Sequence, residues 1–290
     1  MKIEGDLKIM AFEIEIEITR SFIKACIREI QGRTEEIRTK TAPDNFIGLI
    51  KCIEEGAKRF GSSAHDLLKR AKSVKLRAPE IVPDTLANKS GAKVGLVVSK
   101  GHEKNVYFEG RDKNPVLDSI VMKEMIVGIE EETDGRGVQV LKPRDEEVKD
   151  KLRYLLELGS GIIAVGLNHA GLNPANERFV KELIESDYPR HYLGAVPVLI
   201  SADFSDERDN FLRTHVCLLN AYIWFSVDRF LRRVEALLRQ NGYHYRLWVA
   251  QADGAVVPIT RVTPLKTCAS DPIGFIKSNL HGAFGIPASR

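Results

Sequence analysis

The run Phe12-Glu13-Ile14-Glu15-Ile16-Glu17-Ile18, followed by Thr19-Arg20-Ser21-Phe22, decides the fold class. Four apolar side chains alternate with three glutamates, and a period of two belongs to a strand with one dry face and one wet face. Working outward, residues 21–30 read as a second strand, Gln31-Gly32 as a turn and residues 34–41 as a third strand. The chain therefore opens as an antiparallel β-meander. Pro43-Asp44 then starts a helix whose apolar face is Phe46, Ile50, Ile53, Ala57 and Phe60.

Downstream, strands and helices alternate. Residues 93–99, 138–141 and 161–167 are apolar, β-rich runs, and one or two short strands are expected within 192–200. Residues 146–158, 175–186, 206–222 and 227–239 carry apolar side chains at helical spacing. Residues 245–250 read as a strand, closed by the hairpin-type turn Asp253-Gly254. This alternation predicts an α/β fold built in layers. The glycine- and charge-rich stretch 130–137 is the expected junction, giving a first lobe over 1–130, an α/β subdomain with long helices over 131–240, and a return to the first lobe over 241–290.

Bulk properties exclude several function classes. With 43% hydrophobic and 29% charged residues the chain is expected to be globular. A net charge of +3 gives no argument for a nucleic-acid partner. The longest apolar run, 216–227, contains Asn220 and is too short to span a bilayer. The first ten residues carry Glu4 and Asp6 and no apolar signal core, so a cytoplasmic location is expected. Cys26, Cys52, Cys217 and Cys268 form no CxxC pair; the first three sit in apolar surroundings and read as buried thiols.

A collinear string of short motifs carries a resemblance. Gly91-Ala92-Lys93-Val94-Gly95-Leu96 with Lys100-Gly101 comes first, then Asn173-Pro174 with Glu177, Arg213-Thr214 with Leu219-Asn220-Ala221-Tyr222, Gln251-Ala252-Asp253-Gly254-Ala255-Val256, and Ser270-Asp271-Pro272. Gly32-Arg33 and Thr41-Ala42-Pro43-Asp44 fit the same series. The order resembles the hydantoinase A family, which includes oxoprolinases and the ATP-binding subunits of acetone and acetophenone carboxylases. The resemblance implies an RNase H-like, actin-like ATPase lobe. It also implies a second nucleotide-binding lobe, which is expected to be absent because no sequence is left to form it.

The resemblance also locates a nucleotide site, and there the chain departs from the pattern. The family's first phosphate loop reads Asp-x-Gly-Gly-Thr-Phe, and this chain has Glu17-Ile18-Thr19-Arg20-Ser21-Phe22. The acid and the phenylalanine are kept, but β-branched Thr19 and bulky Arg20 replace glycines that allow close approach to phosphate. The second signature, His-Gly-Thr-Thr, falls on Arg77-Ala78-Pro79-Glu80, and Ser-Asn-Gly-Gly becomes Ala252-Asp253-Gly254-Ala255. Ser-Gly-Pro becomes Ser270-Asp271-Pro272, placing a carboxylate where a phosphate is expected. Glu17, Thr19, Arg20, Ser21, Asp253, Gly254, Ser270 and Asp271 are thus vestigial phosphate-loop positions. No catalytic residue, metal ligand or bound cofactor is expected in the chain itself.

Simpler readings stand beside these. Glu13, Glu15 and Glu17 are read as the wet face of a strand in an edge region, His169 as a structural histidine at a strand end, and His215 as a core histidine. Lys69, Arg70 and Lys72 read as a solvated helix face. The resemblance implies an accessory subunit, like the small separately dissociating subunit of the acetophenone carboxylases. It would be required for the ATP-dependent conversion of acetophenone to benzoylacetate or a similar ketone carboxylation, with ATP and magnesium used by larger partner subunits. The alternatives are a stand-alone ligand sensor on a degenerate kinase lobe, and a weak metal-dependent phosphotransferase or hydrolase using Glu17 and Asp253.

Overall fold

The computed structural model describes residues 11–40, 45–106, 120–187, 196–271 and 274. They fall into two compact units. The first holds the residues up to Asp84, Val227–Val262 and Lys266–Ser270; the second holds Thr85–Ser226, Thr263–Leu265 and the residues from Asp271 onward. The units thus change at 84/85 and 226/227, where the sequence suggested 130/131 and 240/241. Residues 130–137 lie inside the second unit and include the short strand β7 (Glu132–Thr133), which pairs with β8 (Gln139–Leu141) in a small hairpin.

The first unit is built on a six-stranded sheet. The meander is present: β1 (Phe12–Ile18), β2 (Phe22–Glu29) and β3 (Thr34–Lys40) pair antiparallel. Next to β1 lies β4 (Ala71–Arg77), parallel to it, then β11 (Leu247–Ala250), parallel to β4, and the antiparallel edge strand β12 (Val256–Pro258). β1 is therefore interior to the sheet, which corrects its reading as part of an edge. Its glutamates stay wet because of the side of the sheet they face. On the dry side, Phe12, Ile14, Ile16, Ile23, Ala25, Ile27, Val74 and Leu76 are buried.

Helix α1 (Asn45–Arg59) covers that dry side, and α2 (Ala64–Arg70) packs against α1 and β1. The buried stripe of α1 is Leu49, Cys52, Ile53 and Ala57, rotated from the expected one, so Phe46 and Ile50 lie at its margin. Gly56 explains the rotation. A Cβ there would stand 2.3 Å from Ile27 Cδ1 and 2.9 Å from Ile37 Cδ1, so the helix meets the sheet along its glycine. Pro43 and Asp44, the expected helix start, lie outside the described residues.

The second unit contains an all-parallel sheet in the order β10-β9-β5-β6. These are β5 (Val94–Ser99), β6 (Ile126–Ile129), β9 (Ile162–Gly166) and β10 (Val198–Ile200), and every residue in them is buried. Coverage on both faces is what allows such uninterrupted apolar runs. Helices α4 (Asp145–Glu157) and α5 (Ala175–Asp187) belong to this unit. The two helices expected over 206–222 and 227–239 are one 31-residue helix, α6 (Asn210–Gln240), preceded in the chain by the short α3 (Ile81–Ala87) and the helices above. No glycine or proline interrupts residues 223–226, so nothing breaks the helix there. Among the described residues no helix is long and apolar enough to cross a membrane.

Candidate functional site

β1, β4 and β11 run parallel, with Glu17 opposite Arg77 and Val249 opposite Leu76, so their C-terminal ends are nearly flush. Three loops leave from these ends: Thr19-Arg20-Ser21, Ala78-Pro79-Glu80, and Gln251 to Gly254. Ligands collect beyond strand C-termini in α/β folds. Six of the eight sequence-derived positions, Glu17, Thr19, Arg20, Ser21, Asp253 and Gly254, are gathered at this rim. Ser270 and Asp271 are exposed and follow the 3-10 turn Pro264–Thr267.

The first loop is closed by its own residues. Thr19 donates from its backbone N–H (2.9 Å) and its hydroxyl (3.0 Å) to the Phe22 carbonyl, while Phe22 N–H donates to Thr19 Oγ1 at 3.1 Å. None of Thr19, Arg20 and Ser21 adopts a positive φ. The hairpin thus does without the glycine conformation expected from the family's loop, because a β-branched hydroxyl supplies the closing bonds. Arg20 extends to the neighbouring loop: its Nη2 lies 2.5 Å and its Nε 2.8 Å from Asp84 Oδ1, and Nε lies 3.5 Å from Glu80 Oε2. Hydrogen bonding and charge from Asp84, then charge from Glu80, hold the guanidinium more firmly protonated than an isolated arginine. Sequence reasoning did not pair Glu80 or Asp84 with Arg20, since they lie sixty or more residues away and the β1–β4 pairing brings them together.

The third loop is closed by its own backbone together with Lys266. Gln251 N–H donates to the Ala255 carbonyl (2.8 Å), Ala252 N–H to the Lys266 carbonyl (2.7 Å) and Gly254 N–H to the Gln251 carbonyl (3.1 Å). Asp253 accepts from Ala255 N–H at 3.0 Å and pairs with Lys266 Nζ at 3.0 Å. The Ala255 bond, then Lys266, hold the Asp253 carboxyl below the usual aspartate range. Gly254 has φ +86 and open space where a side chain would stand, so its role is the turn itself.

The wet face of the sheet below the rim forms a shallow cavity of about 390 Å³ lined by Glu15, Glu17, Lys24, Cys26, Glu36 and Lys75, among others. Its charges neutralise one another: Lys75 meets Glu15 at 3.0 Å, Lys24 meets Glu36 at 3.0 Å, and Arg77 approaches Glu17 at 3.9 Å. Among the described residues no group of three or more metal-ligating side chains occurs. Cys26, expected to be buried, is half-buried on this face between Glu15 and Glu36. Lys72 likewise lies on β4, whereas Lys69 and Arg70 belong to α2.

The motif residues of the second unit form a different kind of structure. Glu177 is fully buried. Its carboxylate accepts from Leu167 N–H (2.9 Å), Ala202 N–H (3.0 Å) and the Ser201 hydroxyl (2.5 Å). Ser201 Oγ in turn accepts from Arg213 Nε at 2.9 Å, so one hydroxyl links a buried anion to a buried cation. Arg213 also donates to the carbonyls of Leu167 (2.6 Å) and Glu207 (3.0 Å) and to Asn210 Oδ1 (2.8 Å). Burial pushes the Glu177 carboxyl above its ordinary range, against the pull of these donors. Asn176 ties Glu131 (2.7 Å) to the Leu141 carbonyl (3.1 Å), and Asn220 holds Leu265 N–H at 2.9 Å. His169 has φ +57, its N–H donates to Asn210, and its carbonyl accepts from Leu172 and Asn173. These bonds fix its backbone at the end of β9.

A family model of the hydantoinase/oxoprolinase N-terminal region matches residues 24–188, more than half of the chain. The chain belongs to this family. Within it, the chain is 25% identical over 287 residues to the acetophenone carboxylase gamma subunit of Aromatoleum aromaticum, an alignment covering 93% of this chain and 39% of that subunit. It is 23% identical over 256 residues to the acetone carboxylase beta subunit of Xanthobacter autotrophicus, covering 82% and 35%. A nucleotide-free acetone carboxylase structure superposes with a TM-score of 0.72 at 22% identity, covering 95% of this chain and 41% of that one. The mixed α/β fold with a parallel sheet is thus shared. This member of the family spans about two fifths of the length of the relatives it matches.

Proposed function

We propose that this chain is an accessory subunit of an ATP-dependent ketone carboxylase complex, whose larger subunits bind ATP and magnesium and perform the phosphorylation. It would be analogous to the small subunit of an acetophenone-type carboxylase, and its first unit would be an RNase H-like lobe. The kinship with acetophenone and acetone carboxylase subunits supports the setting. The sheet, three antiparallel strands followed by two parallel ones, supports the lobe assignment.

The accessory role rests above all on Arg20, whose guanidinium is turned onto Asp84 and Glu80 at the mouth of the first loop. A phosphate there would have to displace two carboxylates, and the N–H groups of Thr19, Phe22, Gln251, Ala252, Gly254 and Ala255 are already used. Pre-organised donors are what phosphoryl chemistry needs. The residues present do not fit a bound nucleotide phosphate, so no phosphoryl step is assigned to this chain.

Reconstitution tests the reading. The complex assembled with this chain is expected to incorporate labelled bicarbonate into the ketone, and the complex assembled without it to lose most of that activity. Full activity without the chain would remove the proposal.

A further inference from the structure

Helix α1 carries two apolar stripes and packs only one of them against the sheet. Leu49, Cys52, Ile53 and Ala57 form the buried stripe, which Gly56 turns to the strands. Phe46, Ile47 and Ile50 form the second. With Ala236 and Leu237 of α6 they line a groove of about 640 Å³ between the two helices. Every residue that lines it belongs to the first unit. We infer that this groove is the docking site for an amphipathic helix of a partner chain, one that carries carboxylates beside its apolar stripe. The inference rests neither on the role proposed for the loops at the rim of the sheet nor on the carboxylase setting.

A surface helix of a globular protein normally shows one apolar stripe, turned to the core. On α1 the second stripe is left facing water. Ile47 is 55% exposed, and Phe46, Ile50 and Leu237 are only half-buried. Side chains three and four residues apart stand over one another on a helix, as Phe46 and Ile47 do with Ile50. Apolar rows on two neighbouring helices leave a furrow between them, and a third helix fills such a furrow with its own i, i+3, i+4 and i+7 anchors. A small-molecule pocket instead buries a few polar groups that orient its ligand. Here Lys51, Glu54, Arg233 and Gln240 are all exposed, and Asn241 donates to the Leu237 carbonyl at 2.9 Å.

Charge selects the partner. Lys51 and Arg233 line the groove against a single acid, Glu54. Arg233 lies over the Phe46 ring at 3.9 Å, and Phe46 packs on Phe230 with 5.6 Å between ring centroids, so the guanidinium is held at the groove wall. Arg229, one turn earlier on the same face of α6, adds a third exposed cation. The nearby acids of that helix, Asp228 and Glu235, are already paired with Arg232 and Arg239. The surplus around the groove is therefore positive. An arginine fork takes a carboxylate through two parallel bonds, so glutamates flanking the apolar stripe of the incoming helix complement this rim. A second copy of the chain does not, because a two-fold contact sets each patch against itself and would bring one basic rim onto another.

Fluorescence anisotropy of the full chain with labelled peptides tests this. The probe is a synthetic peptide of about 18 residues, long enough to form a helix, with leucine at the i, i+3, i+4 and i+7 positions and glutamates beside them. Its counterpart carries lysine in place of every glutamate. The acidic peptide is expected to saturate, to bind about tenfold tighter than the lysine peptide, and to weaken as salt is raised. Ile47→Asp, which sets a carboxylate on the groove floor, is expected to weaken it about tenfold. Arg233→Glu is expected to remove the preference for the acidic peptide. Should I47D fail to fold, Ala236→Asp on the α6 wall is read in the same way. Sedimentation of the chain alone, with and without I47D, reports on a second copy as the occupant. Failure of the acidic peptide to bind the folded chain, equal affinity for the lysine peptide, unchanged affinity in the folded Ile47 or Ala236 variant, or a dimer that I47D dissociates would each overturn the inference.

Discussion

Arg213 and Glu177 are both fully buried and joined through Ser201, and they show best what the family motifs encode in this chain. Removing one member of a buried, hydrogen-bonded charge set leaves the other uncompensated in a medium that solvates it poorly. Arg213→Met is expected to cost about 3–5 kcal/mol, because the Leu167 and Glu207 carbonyls lose their donor and Glu177 loses the cation that offsets its burial. Urea unfolding of the variant checks this; a loss below ~1 kcal/mol would mean that the network is not a structural keystone. The contrast with Arg20 is instructive. Arg20 and its partners Asp84 and Glu80 are largely exposed, and such pairs contribute little to stability. What Arg20 determines is the charge at the rim of the sheet.

At the scale of elements, the meeting of α1 with the first sheet depends on Gly56. Replacing it with alanine gains about 1 kcal/mol in helix propensity. Forcing a methyl into a packed seam costs ~1–3 kcal/mol, and Ile27 and Ile37, both buried, have nowhere to go. Gly56→Ala is therefore expected to lower the urea midpoint; an unchanged or higher midpoint would show that α1 can lift without loss. The elements also show what the sequence made legible. The 12–18 alternation, the meander, and the α4 and α5 periodicities were readable because one face of each is consistently apolar, and β9 as an unbroken apolar run. β4 was not recognised, because Ala71–Arg77 carries Lys72, Lys75 and Arg77 among its three buried residues and follows α2 without a break in charge. Missing β4 hid the neighbour that turns β1 into an interior strand and brings Asp84 to Arg20. Helix α6 was read as two because its first half is buried almost all round and its second half is amphipathic, a change of environment that resembles a boundary in sequence. At the rim, the altered loops were legible as losses of glycine. The bonds that close them were not, since they join Thr19 to Phe22 and Asp253 to Lys266 by geometry that no spacing rule records.

At the scale of the whole molecule, two units carry two different outcomes of one family inheritance. In the first, a six-stranded sheet keeps its parallel strand ends flush, while the charges at the rim pair with one another, Arg20 with Asp84 and Glu80 and Asp253 with Lys266. In the second, the motif residues are kept as a buried polar scaffold. On the reading proposed above, the chain keeps a lobe of the family without the cradle that holds a phosphate. Isothermal titration of the purified chain with magnesium–ATP tests this most directly. The account predicts no saturable heat at nucleotide concentrations up to the millimolar range. Saturable binding with a micromolar dissociation constant that is lost in R20A or in Asp253→Ala would contradict it, because those side chains would then be holding phosphate rather than closing the loops.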